Sequence, residues 1–402
     1  MFIRKGRFSS ESVSQGHPDK LAGPISDPAP DAFPRRDPQA RVACETLPAD
    51  GPVVAAGEFR ARDDDDFHSV RASASDIARA VLHDAGCRDA ATGIDPARCG
   101  TEVRFNAQSG DISRGVDRAD GVTAAGDQGV MFGYACDESP ELMPAPIMHA
   151  HRLVRRQAAL RRTGALAWPG PDARSQVTFR YEAGRPAALD AMVLSTPHHA
   201  GVDPSTLEDA VRRDIIKAVI PQALRCDGTP ILINPTGRFV TGGPKGATGL
   251  TGRRIIVDAY GGAAPHGGGA FSGKDPSRAD RAAACMARFL AREAVARGWA
   301  RRALVQLACA TGVATPVNVL VCVDDEAAAS EPGIAAALHA EVDLSPRGIM
   351  ERPDLSWPID YPTAAYGCLG RGDLDPPWAQ AGGSSAMRLP ADTGARGAPL
   401  AA

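Results

Sequence analysis

Apolar residues along this chain are grouped in short segments enriched in Val, Ile, Thr and aromatic side chains, a composition that favours β-strands. Segments with apolar residues at four-residue spacing, which is typical of amphipathic helices, alternate with them. There are no heptads and no exact repeat. The mixed order predicts an α+β fold. The predicted strands are residues 41–46, 52–59, 176–181, 189–195, 253–260, 304–310 and 317–323.

Three helices are predicted. Residues 147–162 and 204–219 carry apolar side chains on one helical face. The third helix is predicted to run from Asp275, as N-cap, to Gly298, at the position that follows a helix end. Its predicted buried stripe is Met286, Phe289 and Leu290.

Four prolines interrupt residues 20–37, directly after the Gly16–Lys20 segment. Each interior proline removes a backbone hydrogen bond and costs a helix about 3 kcal/mol. The sequence therefore predicts turns or extended chain here and no helix. The prolines are Pro24, Pro28, Pro30 and Pro34.

The composition limits the class of protein. A chain of 402 residues can form two or three domains, and a net charge of −3 argues against binding to nucleic acid or to a membrane surface. The nine cysteines include no CxxC pair, and the N-terminus has no apolar stretch of signal-peptide length, so a cytoplasmic protein with reduced thiols is expected. Four consecutive aspartates, residues 63–66, predict a solvated loop insertion, with metal binding as the alternative.

A glycine loop that ends in lysine covers residues 267–276. Such a loop suits a polyphosphate, because glycines let backbone N–H groups approach the oxygens and the ammonium offsets their charge. The spacing Gly268-x-x-x-x-Gly273-Lys274 nearly matches a nucleotide-triphosphatase P-loop. Asp275, however, stands where that motif needs the Ser or Thr hydroxyl for Mg²⁺. A P-loop kinase is therefore a distant alternative.

Four motifs occur in order and in register: residues 10–20 with Gly16-His17-Pro18-Asp19-Lys20, residues 126–134, residues 234–239, and the glycine loop. Together they closely resemble the methionine adenosyltransferase (S-adenosylmethionine synthetase) family, over residues 8–371. The resemblance implies three similar α+β subdomains around a pseudo-threefold axis. We expect them at residues 1–112, 122–241 and 242–402.

The resemblance also implies a transferase that makes S-adenosylmethionine from ATP and L-methionine, releasing phosphate and diphosphate. It implies Mg²⁺, two ions per site, and K⁺ as cofactors. The expected assembly is a cytoplasmic homotetramer, a dimer of dimers with sites between subunits.

Candidate site residues follow from the same resemblance, position by position. The expected catalytic residues are His17, Arg174 and Lys274. ATP binding is expected at His17, Asp172, Arg174, Arg238, Phe239, Arg253, Arg254, Ala270 and Lys274. Methionine binding is expected at Glu58, Gln108, Asp127 and Arg278, where Gln108 begins a segment similar to the family's mobile lid. Asp19 and Asp280 match Mg²⁺ ligands and Glu45 matches the K⁺ ligand.

Some positions depart from the family pattern. Arg174, Arg254 and Arg278 stand where the family has lysine, and a planar guanidinium cannot place a point charge as an ammonium does. Ala247 replaces an aspartate that contacts substrate, a loss of roughly 1.5–3 kcal/mol. These departures leave open an impaired enzyme or, as the alternative, a non-catalytic homologue that binds nucleotide or pairs with an active subunit.

Overall fold

A computed structural model describes residues 2–28, 41–60, 64–88, 94–108, 124–324, 326–351 and 360–379 of the chain. Within these residues, three sheets and three long helices form the framework. The strands are β1 (Gly6–Val13), β2 (Arg41–Pro48), β3 (Pro52–Arg60), β4 (Gly100–Ala107), β5 (Gly129–Cys136), β6 (Arg174–Glu182), β7 (Arg185–Ser195), β8 (Ile231–Ile233), β9 (Arg302–Cys309) and β10 (Asn318–Val323). The helices are α1 (Pro18–Ser26), α2 (Asp64–Ala85), α3 (Ala145–Arg162), α4 (Pro204–Ala210), α5 (Ile255–Asp258), α6 (Ala279–Ala296), α7 (Glu331–Glu341), α8 (Pro346–Glu351) and α9 (Asp360–Thr363).

Each sheet is covered by one long helix. Helix α2 packs on the sheet β2-β3-β4, α3 on the sheet β1-β6-β7-β8, and α6 on the sheet β10-β9-β5. The largest core lies under α6, where Met286, Phe289 and Leu290 are buried as predicted. The α+β fold is thus confirmed as three sheet-and-helix units.

Two strands lie in a sheet distant from their neighbours in sequence. Strand β1 pairs antiparallel with β6, and β5 pairs antiparallel with β9. Strand β1, at the start of the chain, therefore belongs to the sheet of β6, β7 and β8. Strand β5 belongs to the sheet of β9 and β10. These exchanges fasten the three units together and carry the chain from β1 directly into the His17 turn.

Most predicted elements are confirmed. Strands are present at every predicted segment except residues 253–260. Helices are present at 147–162 and 204–219, and the second of these continues beyond α4 through a π-helical stretch, Val211–Ile216. The strand predicted at 253–260 is wrong, because a turn precedes the short helix α5 there. In this segment Val257 is buried and Ile256 is exposed, while Asp258 pairs with Lys20 of α1. A tertiary ion pair, and not strand propensity, decides this segment.

The prediction that residues 20–37 form no helix is wrong for its first part. Helix α1 continues through Pro24, and all nine of its residues are buried. Burial of Leu21 and Ile25 returns about 1.5–3 kcal/mol each, enough to offset the about 3 kcal/mol cost of one interior proline. Residues 29–40, with the other two prolines of the run beyond Pro28, lie outside the described part of the chain.

Two helix starts also differ from prediction. Helix α6 begins at Ala279 and not after Asp275, whose carboxylate accepts hydrogen bonds from the amides of Ser277 and Val42, both at 2.8 Å. Gly298, with φ +71°, does follow the helix end. The aspartate run expected as a loop instead opens α2 at Asp64, and Asp63 lies outside the described residues. The sequence patterns predict neither helices α2, α7, α8 and α9 nor strands β1, β4, β5 and β8.

Candidate active site

His17 stands at the turn between β1 and α1 as the N-cap of α1. Its Nδ1 accepts a hydrogen bond from the Asp19 amide at 3.1 Å, and its Nε2 lies 3.3 Å from Nη2 of Arg254. Burial, and then the positive charge of Arg174 and Arg254, lower the pKa of His17 to about 2. The ring is therefore neutral near pH 7. Because Nδ1 accepts the Asp19 amide, the proton of the neutral ring is on Nε2, and the nearby Arg254 nitrogen, which can only donate, makes no hydrogen bond to it.

Asp19 is a buried carboxylate surrounded by cations. Arg254 donates through Nε to one oxygen of Asp19 at 3.0 Å and through Nη1 to Glu11 at 2.9 Å. Nε of Arg253 lies 3.6 Å from the other oxygen, which also accepts the amide of Leu250 at 3.2 Å. Glu11 lies inside the first motif, but its sequence position alone indicates no role for it.

Asp172 and Arg174 flank this cluster from the start of β6. The Asp172 carboxylate accepts the Gly243 amide at 3.0 Å and lies 3.6 Å from Arg174. Its second oxygen is buried and has no hydrogen-bond partner, and burial raises the pKa of Asp172. Ser14 ties this loop to the His17 turn through the Ala173 amide at 2.7 Å. We call this set the His17 group: Glu11, His17, Asp19, Asp172, Arg174, Arg253 and Arg254.

A second set gathers where the glycine loop meets α6. Lys274 forms an ion pair with Asp280, and Arg278 donates to Glu58 of β3 at 2.7 Å. Asp127 caps α6 by accepting the Ala279 amide at 2.8 Å, and burial raises the pKa of Asp127. We call these five residues the Lys274 group.

The glycine loop lies directly against this group. A Cβ on Gly269 would come within 2.1 Å of the Asp280 carboxylate, so no larger residue fits without displacing it. The loop does not open a helix as expected, since α6 begins at Ala279, five residues beyond Lys274. Polyphosphate binding by this loop would therefore depend on the glycine backbone and the ammonium, and not on a helix N-terminus.

The two groups lie at opposite ends of α1. His17 precedes its first residue, while Asp27, just beyond its last, contacts Gly273 beside Lys274. Nine helical residues at about 1.5 Å each make α1 about 14 Å long. One chain therefore brings the predicted site residues together as two sets and not as one.

The remaining candidates lie around these sets. Arg238 is exposed, and Phe239 is half-buried and fixed by His198, whose amide donates to its carbonyl at 2.9 Å. The Gln108 side-chain oxygen is buried without a hydrogen-bond partner, and the lid-like segment after it lies outside the described residues. Ala270 is half-buried, whereas Glu45 on β2 and Ala247 are exposed.

The described residues contain no cluster of three or more His, Cys, Asp or Glu able to hold a metal ion. Mg²⁺, however, is commonly held by one or two carboxylates together with substrate phosphates, and not in an all-protein cage. Single carboxylates at Asp19 and Asp280, each already paired with a cation, fit that mode of binding. None of the helices described is both long and apolar enough to cross a membrane.

Comparison with protein-family models gives three matches in sequence order. Residues 5–110 match the N-terminal domain of S-adenosylmethionine synthetase, residues 122–239 its central domain and residues 241–380 its C-terminal domain. Together the matches cover both the His17 group and the Lys274 group.

Proposed function

The chain belongs to the S-adenosylmethionine synthetase family, and on that premise we propose that it makes S-adenosylmethionine from ATP and L-methionine, releasing phosphate and diphosphate. The observation that carries the proposal is the pairing of a buried neutral histidine with arginines in one group and a lysine beside a glycine loop in the other. The family match makes the chain a transferase of this type. Its turnover, site residues, cofactors and assembly are proposals.

The reaction requires stabilisation of a leaving triphosphate. The methionine sulfur donates an electron pair to C5′ of ATP, the C5′–O5′ bond breaks, and about four negative charges leave with the triphosphate. Lys274, Arg174 and Arg254 are the proposed cations for that charge. The Nε2 proton of His17 is the proposed donor to O5′ as its charge develops.

Asp19 and Asp280 are the proposed Mg²⁺ ligands, and Glu45 is the proposed K⁺ ligand. Mg²⁺ would supply further neutralisation of the phosphate oxygens. Arg254 and Lys274 form ion pairs with these two aspartates. A bound polyphosphate would attract these cations and leave the carboxylates free for metal. The two ion pairs therefore keep both the cations and the carboxylates at the proposed phosphate site.

Bound methionine would break the ion pair between Glu58 and Arg278 and would itself pair with both side chains. The amino acid carries one ammonium and one carboxylate, and this pair offers one partner for each, 2.7 Å apart in the structure. The unpartnered Gln108 oxygen is a further acceptor for the ammonium. Asp127, held at the start of α6, would shape the same pocket.

The separation of the two groups supports an assembly in which each site takes one group from each of two subunits. We propose the homotetramer of the family, a dimer of dimers. The alternative, a non-catalytic homologue, is favoured by one observation: Ala247 lies exposed on the loop that the His17 group anchors through Gly243 and Leu250.

The test is direct. Purified protein with ATP, methionine, Mg²⁺ and K⁺ should form S-adenosylmethionine together with phosphate and diphosphate. Calorimetry should show Mg²⁺-dependent ATP binding that Asp19→Asn or Lys274→Ala weakens, while Glu141→Gln, which breaks the distant pair with Arg152, leaves it unchanged. Binding without turnover would select the non-catalytic homologue, and absence of both would overturn the proposal.

A further inference from the structure

Gly273, the last residue before Lys274, is held from both sides. Its amide donates to Oδ1 of Asp27 at 2.7 Å, and its carbonyl accepts the Cys44 amide at 2.8 Å. With φ at +80°, it adopts a conformation that suits glycine, and a Cβ would lie 1.9 Å from the Cys44 carbonyl oxygen. Lys274 therefore leaves the loop from a fixed point beside β2.

Asp27 is wholly buried just beyond the end of α1. Nη1 of Arg281 lies 3.3 Å from the same oxygen that accepts the Gly273 amide. That nitrogen also donates to the carbonyl of Phe271 in the glycine loop at 3.2 Å. The other end of the guanidinium contacts Asp360 at 2.9 Å. Arg281 thus joins the loop, α1 and α9.

We propose that Asp27 and Arg281 are the positioning residues for the pair Lys274 and Asp280. Gly273 directly precedes Lys274 in the chain, and Arg281 directly follows Asp280. Asp27 contacts both Gly273 and Arg281, so these two contacts and the ion pair between Lys274 and Asp280 form a closed ring. Asp27 is buried behind the loop and acts through Lys274, not on a substrate. The consequence for phosphate binding rests on the proposed function.

A double-mutant cycle tests this coupling, with inorganic tripolyphosphate and Mg²⁺ as the ligand and calorimetry as the readout. Asp27→Asn keeps the shape and an acceptor oxygen but loses the charge opposite Arg281. We expect it to weaken tripolyphosphate binding about tenfold, with no further loss when Lys274→Ala is already present. Equal losses in both backgrounds would mean that Asp27 affects tripolyphosphate binding independently of Lys274 and would overturn the proposal.

Asp360→Asn is the matched control, because it removes a carboxylate from the same guanidinium without touching Gly273. It should leave tripolyphosphate affinity within about twofold. A loss equal to that of Asp27→Asn would show that any missing buried charge suffices, which contradicts the proposal.

Residue-resolved hydrogen exchange on the unmodified protein covers the case in which Asp27→Asn does not fold. The Gly273 amide should exchange slowly, at a rate near that of the core of α6, and fast exchange would overturn the proposal. If the protein binds tripolyphosphate but forms no S-adenosylmethionine, the proposed function fails while the cycle still decides the role of Asp27.

Discussion

At the scale of single residues, neighbouring charges decide what a side chain can do. His17 is an ordinary imidazole in sequence, but burial among Arg174, Arg254 and Lys20 makes it neutral near pH 7. A neutral ring whose Nδ1 is occupied can donate only from Nε2. Its proposed role is therefore donation in the bond-breaking step and not attraction of the phosphates.

His17→Asn should therefore lower kcat for S-adenosylmethionine formation by at least ~10²-fold and change ATP affinity only a few-fold. Asparagine keeps the helix N-cap, so α1 should remain formed. Steady-state kinetics with direct measurement of ATP binding separates the two effects. An unchanged kcat would reduce His17 to a turn residue.

Ala247→Asp should restore a charge-assisted contact of roughly 1.5–3 kcal/mol. The loop lies next to the Asp19 cluster, since Leu250 donates to Asp19 and Arg253 donates to the Thr248 carbonyl at 3.0 Å. Methionine affinity or kcat/KM should rise by up to ~10²-fold. Parallel kinetics on the two proteins is the check, with Ala247→Asn as the uncharged control. Equal or lower activity for aspartate would show that the arginines have taken over its role.

At the scale of elements, packing outweighs local propensity. Helix α1 keeps Pro24 because its whole length is buried and its last turn is tied by Ser26, whose hydroxyl contacts those of Thr46 and Thr251 at 2.9 and 3.0 Å. Packing also decides where a side chain is excluded. Strand β5 lies so close to α6 that no side chain can be added at Gly133.

Gly133→Ala should lower the free energy of unfolding by about 1–3 kcal/mol, the usual cost of overpacking. A Cβ there would lie 1.9 Å from the carbonyl carbon and oxygen of Ala287, backbone atoms of α6 that cannot move alone. Urea denaturation measures the loss. Gly100→Ala in β4 is the control, since a Cβ there meets nothing within 4 Å and should change stability little.

Helix α3 carries a buried histidine that should make the fold sensitive to acid. Burial first, and then Lys20, Arg371, Arg155 and Arg152, lower the pKa of His151 to about 3, against 6.5 for a free histidine. Its Nδ1 lies 2.7 Å from the Ser12 hydroxyl. The unfolded chain binds a proton below pH 6.5 that the folded chain does not. The stabilisation is complete above pH 6.5 and is lost as pH falls towards 3.

Each pH unit in that window should cost about 1.4 kcal/mol for this one site. Urea denaturation at pH 7.5 and 5.5 measures the slope. His151→Gln, which keeps a partner for Ser12, should flatten it, whereas His339→Gln on the exposed side of α7 should not. Equal slopes for His151→Gln and the unmodified protein would show that His151 does not titrate between the folded and unfolded states as its burial requires.

At the scale of the whole molecule, the distance between the two groups decides how a site can be built. The His17 group and the Lys274 group lie at the two ends of α1, which is about 14 Å long, and both are proposed to contact the same triphosphate. In the proposed assembly, a two-fold dimer would place one group of each chain opposite the other group of its partner. That arrangement can be tested without a structure of the assembly.

Mixing two inactive variants should restore activity if each carries its defect in a different group. His17→Asn and Lys274→Ala, refolded together, form mixed dimers in which one site carries both defects and the other none. Random pairing then predicts roughly a quarter of full activity. His17→Asn mixed with Asp19→Asn is the control, because both defects fall in one group and every site stays damaged. Failure of the first mixture would mean that one chain forms the site alone.

The sequence by itself determined the family and most of the elements. Four motifs in register identified the family, and the mixed order of strands and helices predicted the α+β fold. Val, Ile and aromatic runs located strands such as β6 and β9 because those side chains fill a pleated, half-buried surface. It also predicts candidate site residues, since a glycine loop ending in Lys274 is unusual enough to be recognised without a structure. The roles of those residues remain predictions.

Tertiary structure alone decided what depends on contacts distant in sequence. Helix α1 persists through Pro24, residues 253–260 turn away from a strand, and β1 and β5 exchange sheets, because burial and ion pairs such as Lys20 with Asp258 outweigh local preference. The contacts that hold Gly273 and the division of the candidate residues into two groups leave no local pattern in the sequence, since each contact joins residues far apart in the chain. Periodicity and motif spacing report on neighbours along the chain, whereas the geometry of this site is set by the packing of β2, α1 and the glycine loop.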